Sequence, residues 1–180
     1  VGNSGLSPER STSVDAGVTW GNDKDTEAGL TFFRNEVENK VDFAGFSYAN
    51  IEGKDSSYGV ESYYERYIKD WFLGRVSYTY TSGDLVLNTP EHMISGTLRF
   101  FWKKLIANLR LSYIGEHDIL AFNLDTFTAD KLKEDGHFEG DITVSYPIRK
   151  DTEIYIRVDN ILDEEYTDGG YRGQPFSVYG

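Results

Sequence analysis

Three histidines, an acidic run and a set of aromatic residues are the parts of this 180-residue chain that could do chemistry. His92, His117 and His137 show no H-x-x-H or H-E-x-x-H spacing, so no helical turn offers two imidazoles to a metal. His117-Asp118 is the only adjacent Asp–His pair, and there is neither a G-x-S-x-G elbow nor a glycine-rich phosphate loop. No catalytic residue is assigned. Asp163, Glu164, Glu165 and Asp168 form the densest acidic cluster, and carboxylates of this kind ligate Ca²⁺. The calcium-loop pattern D-x-[DN]-x-[DN]-G is absent, and a solvated surface is the plain alternative. Calcium is therefore the one candidate ion, and no other cofactor is expected. Phe43, Phe46, Tyr48, Phe122, Phe127, Tyr166 and Tyr171 lie in polar connecting segments. Aromatic rings with a few polar groups suit a concave small-molecule site; the competing reading is that they pack the connections together.

The elements that would position these residues alternate apolar and polar side chains, the mark of a strand with one dry and one wet face. Val14, Ala16, Val18 and Trp20 share a face within 11–20, as do Ala28, Leu30 and Phe32 in a strand beginning at Thr26. A long polar connection runs to about Ser57, and a strand returns over 58–67. Phe72, Gly74, Val76, Tyr78 and Tyr80 lie opposite Arg75, Ser77 and Thr79. Alternation recurs over 93–102, 105–113, 138–146 and 154–158, and Phe176 with Val178 begins a last strand. Residues 115–137 break the pattern. The count is about nine strands. Their connections alternate between tight turns, such as Lys103-Lys104, and long loops.

Charge follows the same division. The tight turns hold Lys24, Lys69, Lys103, Lys104, Arg149 and Lys150, whereas the long connections are acidic. A net charge of −12 excludes a nucleic-acid partner, because phosphate binding needs clustered cations. With no cysteine, disulfide scaffolds, Cys-ligated zinc and thiol chemistry are excluded. Mean hydropathy of −0.49 argues against a helical membrane protein but not against a membrane barrel, where every second strand residue meets lipid. The 13 Tyr, 11 Phe and 3 Trp include Trp20, Trp102, Tyr78, Tyr80, Tyr113 and Tyr146 on the apolar face near strand ends, which matches an interfacial girdle. Residues 1–5 lack the basic and apolar regions of a signal peptide, so an exported form implies a processed chain or a fragment.

Five segments, in order, resemble the C-terminal barrel portion of TonB-dependent outer-membrane receptors. Leu6-Ser7-Pro8-Glu9-Arg10-Ser11, followed by Asp15-Ala16-Gly17, resembles the family's L-x-P-E-x-S strand entry. Tyr48-Ala49-Asn50 with Tyr58-Gly59-Val60-Glu61 is similar to its Y-x-N…G-x-E loop and returning strand, and Asn88-Thr89-Pro90-Glu91-His92 to N-x-P-x-H. Val158-Asp159-Asn160-Ile161-Leu162-Asp163-Glu164-Glu165-Tyr166 resembles V-x-N-L-F-D-x-x-Y. Gly173-Gln174-Pro175-Phe176 stands where P-G-R is usual and lacks the arginine.

The resemblance implies an all-β, antiparallel, up-and-down transmembrane barrel, with residues 1–180 as about nine strands of a 22-stranded wall. The plug domain, the TonB box and the earlier strands would lie outside this sequence. It also implies long loops outside the cell, tight turns in the periplasm, and contact with outer-membrane lipid. The implied function is uptake of a scarce chelate, such as a ferric siderophore or cobalamin, energised by a TonB complex through the missing plug. The loop aromatics named above are the expected ligand contacts. Alternatives are a soluble β-barrel that binds a small ligand, or an outer-membrane hydrolase using His117 or His92.

Overall fold

The computed structural model describes residues 3–22, 25–44, 47–84, 89–123 and 128–180, with side chains of 42–44, 120–123 and 128–130 excepted. Strand formation follows the alternation. The elements are β1 (Arg10–Asn22), β2 (Thr26–Glu38), β3 (Val41–Ala44), β4 (Ser47–Asn50), β5 (Lys54–Lys69), β6 (Phe72–Gly83), β7 (His92–Trp102) and β8 (Leu105–Ile114). They continue as β9 (His117–Asn123), β10 (Thr128–Glu134), β11 (His137–Arg149), β12 (Thr152–Asp159), β13 (Thr167–Asp168), β14 (Tyr171–Arg172) and β15 (Ser177–Tyr179). Nine of them form one antiparallel sheet in the order β1-β2-β5-β6-β7-β8-β11-β12-β15. Each strand pairs with its neighbour in this up-and-down sequence, as the spacing predicts.

The six remaining strands make three small hairpins, β3–β4, β9–β10 and β13–β14. All three sit inside long connections that the sequence reads as irregular. Residues 115–137 are the clearest correction: β9 and β10 pair from His117↔Glu134 to Asn123↔Thr128. Such hairpins are closed by the backbone ladder and cross-strand charges, here Asp118 with Lys131 at 2.8 Å. Their strands are two to seven residues long and interrupted by charged or polar residues, so they leave no sustained period-two signal. For the same reason β5 starts at Lys54 rather than Tyr58: its ladder with β2 continues through polar residues to Glu38↔Lys54. The last strand begins at Ser177, one residue after Phe176.

Register fixes which side chains share a face. Val76, Gly96 and Leu111 are direct neighbours, as are Tyr78, Ile94, Tyr113 and Phe138. This face carries the apolar side chains, and it is open. Val14, Val18, Trp20, Phe32, Trp102, Ile154, Ile156 and Val178 are all exposed. Ile119, in a connection rather than in the sheet, is the one fully buried hydrophobic residue among those described. A water-soluble sandwich would cover such a face with a second layer.

The two sheet ends differ as the charge pattern suggests. Residues 70–71, 103–104 and 150–151 turn the chain at one end. There Lys69 Nζ lies 5.5 Å over the Trp71 ring and Lys103 Nζ lies 5.3 Å over Trp102. Cationic heads above a belt of rings are what an interface between apolar and aqueous phases favours. Lys103 takes φ +56° to close its hairpin. The long connections 39–53, 84–91, 115–136 and 160–176 all emerge at the other end.

Candidate functional site at the long-connection rim

At this end the polar face of the sheet meets the last connection, and side-chain hydrogen bonds replace the ladder. The polar residues of β8, β11 and β12 form a chain of ion pairs. Arg110 donates from Nη2 to Asp141 at 2.5 Å, and Arg157 donates from Nε to Asp159 at 2.5 Å. Asp159 is buried, and its second oxygen accepts from Gln174 Nε2 at 3.0 Å.

Asn160 organises the turn out of β12. It adopts φ +49°, a left-handed conformation that asparagine tolerates better than most residues. Its Nδ2 donates to the carbonyls of Glu164 (2.9 Å) and Gln174 (3.0 Å), and its Oδ1 accepts from the Glu164 N–H (3.1 Å). One buried amide thus ties the start of the connection to its end.

A second anchor comes from the β9–β10 hairpin. Buried Glu134 accepts the N–H groups of Gly169 at 3.2 Å and Gly170 at 2.7 Å. Those glycines have φ +60° and +81°, a turn that points both amides at one carboxylate. His117 Nε2 stands 3.4 Å from Glu134, an ion pair when the imidazole is protonated. Nearby, the Tyr166 ring stacks on His137 with centroids 4.1 Å apart. Burial and a hydrogen bond to the Glu139 carboxylate push the Tyr166 phenol above its ordinary range, so it stays protonated. Gly173 is required here: a Cβ at that position would lie 2.3 Å from the Tyr166 ring. Both His137 nitrogens are buried without a hydrogen-bond partner among the described residues.

An open apolar face with aromatic ends, below a rim of ordered connections, is the plan of a membrane-spanning barrel wall. The model of the β-barrel domain of TonB-dependent-receptor-like proteins matches residues 1–161. The chain belongs to this family. Among the relatives of this TonB-dependent receptor barrel is the vitamin B12 transporter BtuB of Vibrio cholerae, 24% identical over 99% of the chain and 30% of BtuB. The chain therefore spans about a third of the length of the curated relatives it matches. Of solved structures, the pyoverdine outer-membrane receptor FpvA of Pseudomonas aeruginosa covers 96% of the chain, with 29% of FpvA aligned, at a TM-score of 0.74 and 17% identity. The FrpB iron transporter of Neisseria meningitidis covers 97%, with 31% of FrpB aligned, at a TM-score of 0.76 and 14% identity. These likenesses fix the fold: nine antiparallel strands of a TonB-dependent receptor barrel.

Of the sequence-selected aromatics, Phe43, Tyr48, Phe122, Tyr166 and Tyr171 fall in three separate connections at one end of the sheet. Tyr48, on β4, is half exposed, and Tyr171, on β14, is 80% exposed. Tyr166 has one ring face on His137 and an edge on a 450 Å³ cavity that Lys133, Glu164 and Arg172 also line. Phe43 and Phe122 stand on β3 and β9, with side chains outside the described residues, and Phe46 and Phe127 lie outside them altogether. In the acidic cluster, Glu164 accepts the Phe138 N–H at 3.1 Å and Glu165 pairs with Arg172 at 3.1 Å. Among the described residues no three His, Cys, Asp or Glu side chains converge on a metal position.

Sequence reasoning missed Glu134, His117 and His137 as a rim cluster, and it missed Asn160 as its organiser. The His117↔Glu134 register was the available signal, but only once β9 and β10 are recognised as a hairpin.

Proposed function

We propose that this chain is part of the wall and mouth of an outer-membrane receptor that takes up a scarce chelate, a ferric siderophore or a corrinoid. The open apolar face carries this reading: it is an energetically sound surface in lipid and a poor one in water. In this reading the apolar face meets the outer membrane, the polar face lines the lumen, and the long connections face outward. Tyr48, Tyr166, Tyr171, Phe43, Phe46, Phe122 and Phe127 then surround the mouth as candidate ligand contacts. Energy would come from a TonB complex acting on parts of the protein beyond these strands. Binding and gating, with no bond made or broken, are the work of such a wall, so the protein is read as a transporter and not an enzyme.

The vitamin B12 transporter among its relatives supports a corrinoid cargo, and the iron-transport structures support a ferric chelate. Deleting the gene and measuring uptake of labelled cyanocobalamin and of ferric siderophores separates the two. Loss of one uptake, restored by the full-length gene, supports the reading and names the cargo class. Unchanged uptake of every chelate, or a full-length protein that is a monomer in water without detergent, would overturn it.

A further inference from the structure

We propose that the apolar face carries a built-in site for a glycolipid, with an alkyl chain in a groove on the wall and a sugar-type headgroup in the cavity above it. The groove has a volume of 460 Å³ and is bounded by Val76, Ile94, Gly96, Leu111, Phe138 and Leu162. It exists because β7 offers a glycine where its neighbours offer branched side chains. Gly96 pairs with Val76 on one side and Leu111 on the other. A Cβ at Gly96 would find its nearest atoms 4.0 Å away, so no neighbour fills the notch. Two strands along, Ile161 and Leu162 fold over Gly140 and give the groove its far wall.

Toward the rim the groove adjoins a second cavity of 850 Å³, with which it shares Ile94 and Tyr113. The lining changes there from apolar to charged, with Glu91, Glu116, Asp118, Lys131 and Lys133. Between the two lies a collar of rings. Tyr78 bonds His92 Nδ1 at 2.9 Å, and Tyr113 packs on Phe138 with centroids 4.9 Å apart. Strand rise puts Gly96 and His92 roughly 13 Å apart, within the reach of an ordinary lipid chain.

One occupant fits both halves. The groove lies on the outward face, so its ligand is a membrane component and not a solute in the lumen. It continues the apolar surface but leads to a polar chamber, which calls for an amphiphile. In the chamber carboxylates outnumber lysines, which disfavours a simple phosphate headgroup. Carboxylates that accept, ammonium groups that donate and aromatic rims together suit a ring of hydroxyls. Lys131–Asp118 and Lys133–Glu116, each at 2.8 Å, are exposed pairs that can exchange partners at little cost.

The inference rests on the outward face meeting lipid. Its test uses the full-length protein in phosphatidylethanolamine nanodiscs containing equal minor amounts of monoglucosyl diacylglycerol and phosphatidylglycerol. Lipids retained on release are counted by native mass spectrometry. The glucosyl lipid is expected to be retained several-fold over phosphatidylglycerol. Gly96→Leu, which fills the notch, is expected to abolish that preference, and Val76→Phe, which narrows it from the side, to reduce it. Changing Glu116 and Asp118 together to Ala, which leaves Lys131 and Lys133 facing the headgroup, is expected to remove the discrimination between headgroups while lipid is still retained. Equal retention of the two lipids by the unaltered protein, or a preference that survives both groove variants, would overturn the site and leave the receptor reading standing. A protein that does not enter the nanodiscs would overturn both.

Discussion

The wall and the rim of this receptor barrel are held by opposite means. In the wall, main-chain ladders join nine strands and the large apolar side chains stay exposed. At the rim, the buried side chains other than that of Ile119 are polar. Glu134, His137, Asp159 and Asn160 are all at least 95% covered, and three of them accept or donate hydrogen bonds across the last connection. The difference teaches where each solvent lies. In the proposed reading lipid solvates the apolar face, so the wall needs no core. Water surrounds the rim, and long connections there hold a shape only if backbone groups are satisfied by side chains.

The largest expected effect comes from removing the rim's organiser. Asn160→Leu leaves the Glu164 and Gln174 carbonyls and the Glu164 N–H without their partner, each worth about 1–3 kcal/mol when buried. Hydrogen exchange should accelerate across residues 161–175 while the β6–β8 ladder keeps its protection. Equal loss in both regions would mean that wall and rim are one cooperative unit.

The wall gives the next test. Leu98→Arg places a charge on the lipid face and should destabilise folding into bilayers by about 2–4 kcal/mol. Thr97→Glu, one residue away on the polar face and directly between Arg75 and Arg110, should change it little. Similar losses at the two positions would remove the distinction between faces.

A smaller effect is expected from Gly173→Ala. The Tyr166 ring must shift away from a new Cβ at 2.3 Å, with overpacking of this kind costing about 1–3 kcal/mol. The readout is the Tyr166–His137 ring-current shift, with β12 unchanged. A ring that stays in place would show that the stacking is not what holds the connection.

The smallest effect is electrostatic. Lys54 hydrogen-bonds Glu36 and Glu38 at the rim end of β2 and β5 and holds the Glu36 carboxyl below its ordinary 4.5. A depressed carboxylate contributes stability above its unfolded pKa and loses it as pH falls through the folded value. The contribution should therefore be present above about pH 4.5 and fade below it. In Lys54→Ala the Glu36 titration midpoint, followed by NMR, should rise; a midpoint that does not move would show the pair to be idle.

The wall was legible in the sequence because a face is encoded locally. Phe72 to Tyr80 announces its outward residues by alternation alone, and register only confirms them. The motif V-x-N…Y marked residues 158–166 without saying why. Its reason is non-local, because Asn160 reaches Gln174 and Tyr166 packs on Gly173 and His137. Glu134 is further still, holding amides 35 and 36 residues away. Polar residues that bury themselves on a distant backbone look like any solvated loop until the fold is known.

Absence of cysteine makes the two-faced wall directly testable. Single cysteines placed one at a time at residues 94–99 of the full-length protein can be labelled with a fluorophore and challenged with lipid-borne and aqueous quenchers. The lipid-borne quencher should act at Ile94, Gly96 and Leu98, and the aqueous one at Ser95, Thr97 and Arg99. Aqueous quenching at all six positions would contradict a lipid-facing wall.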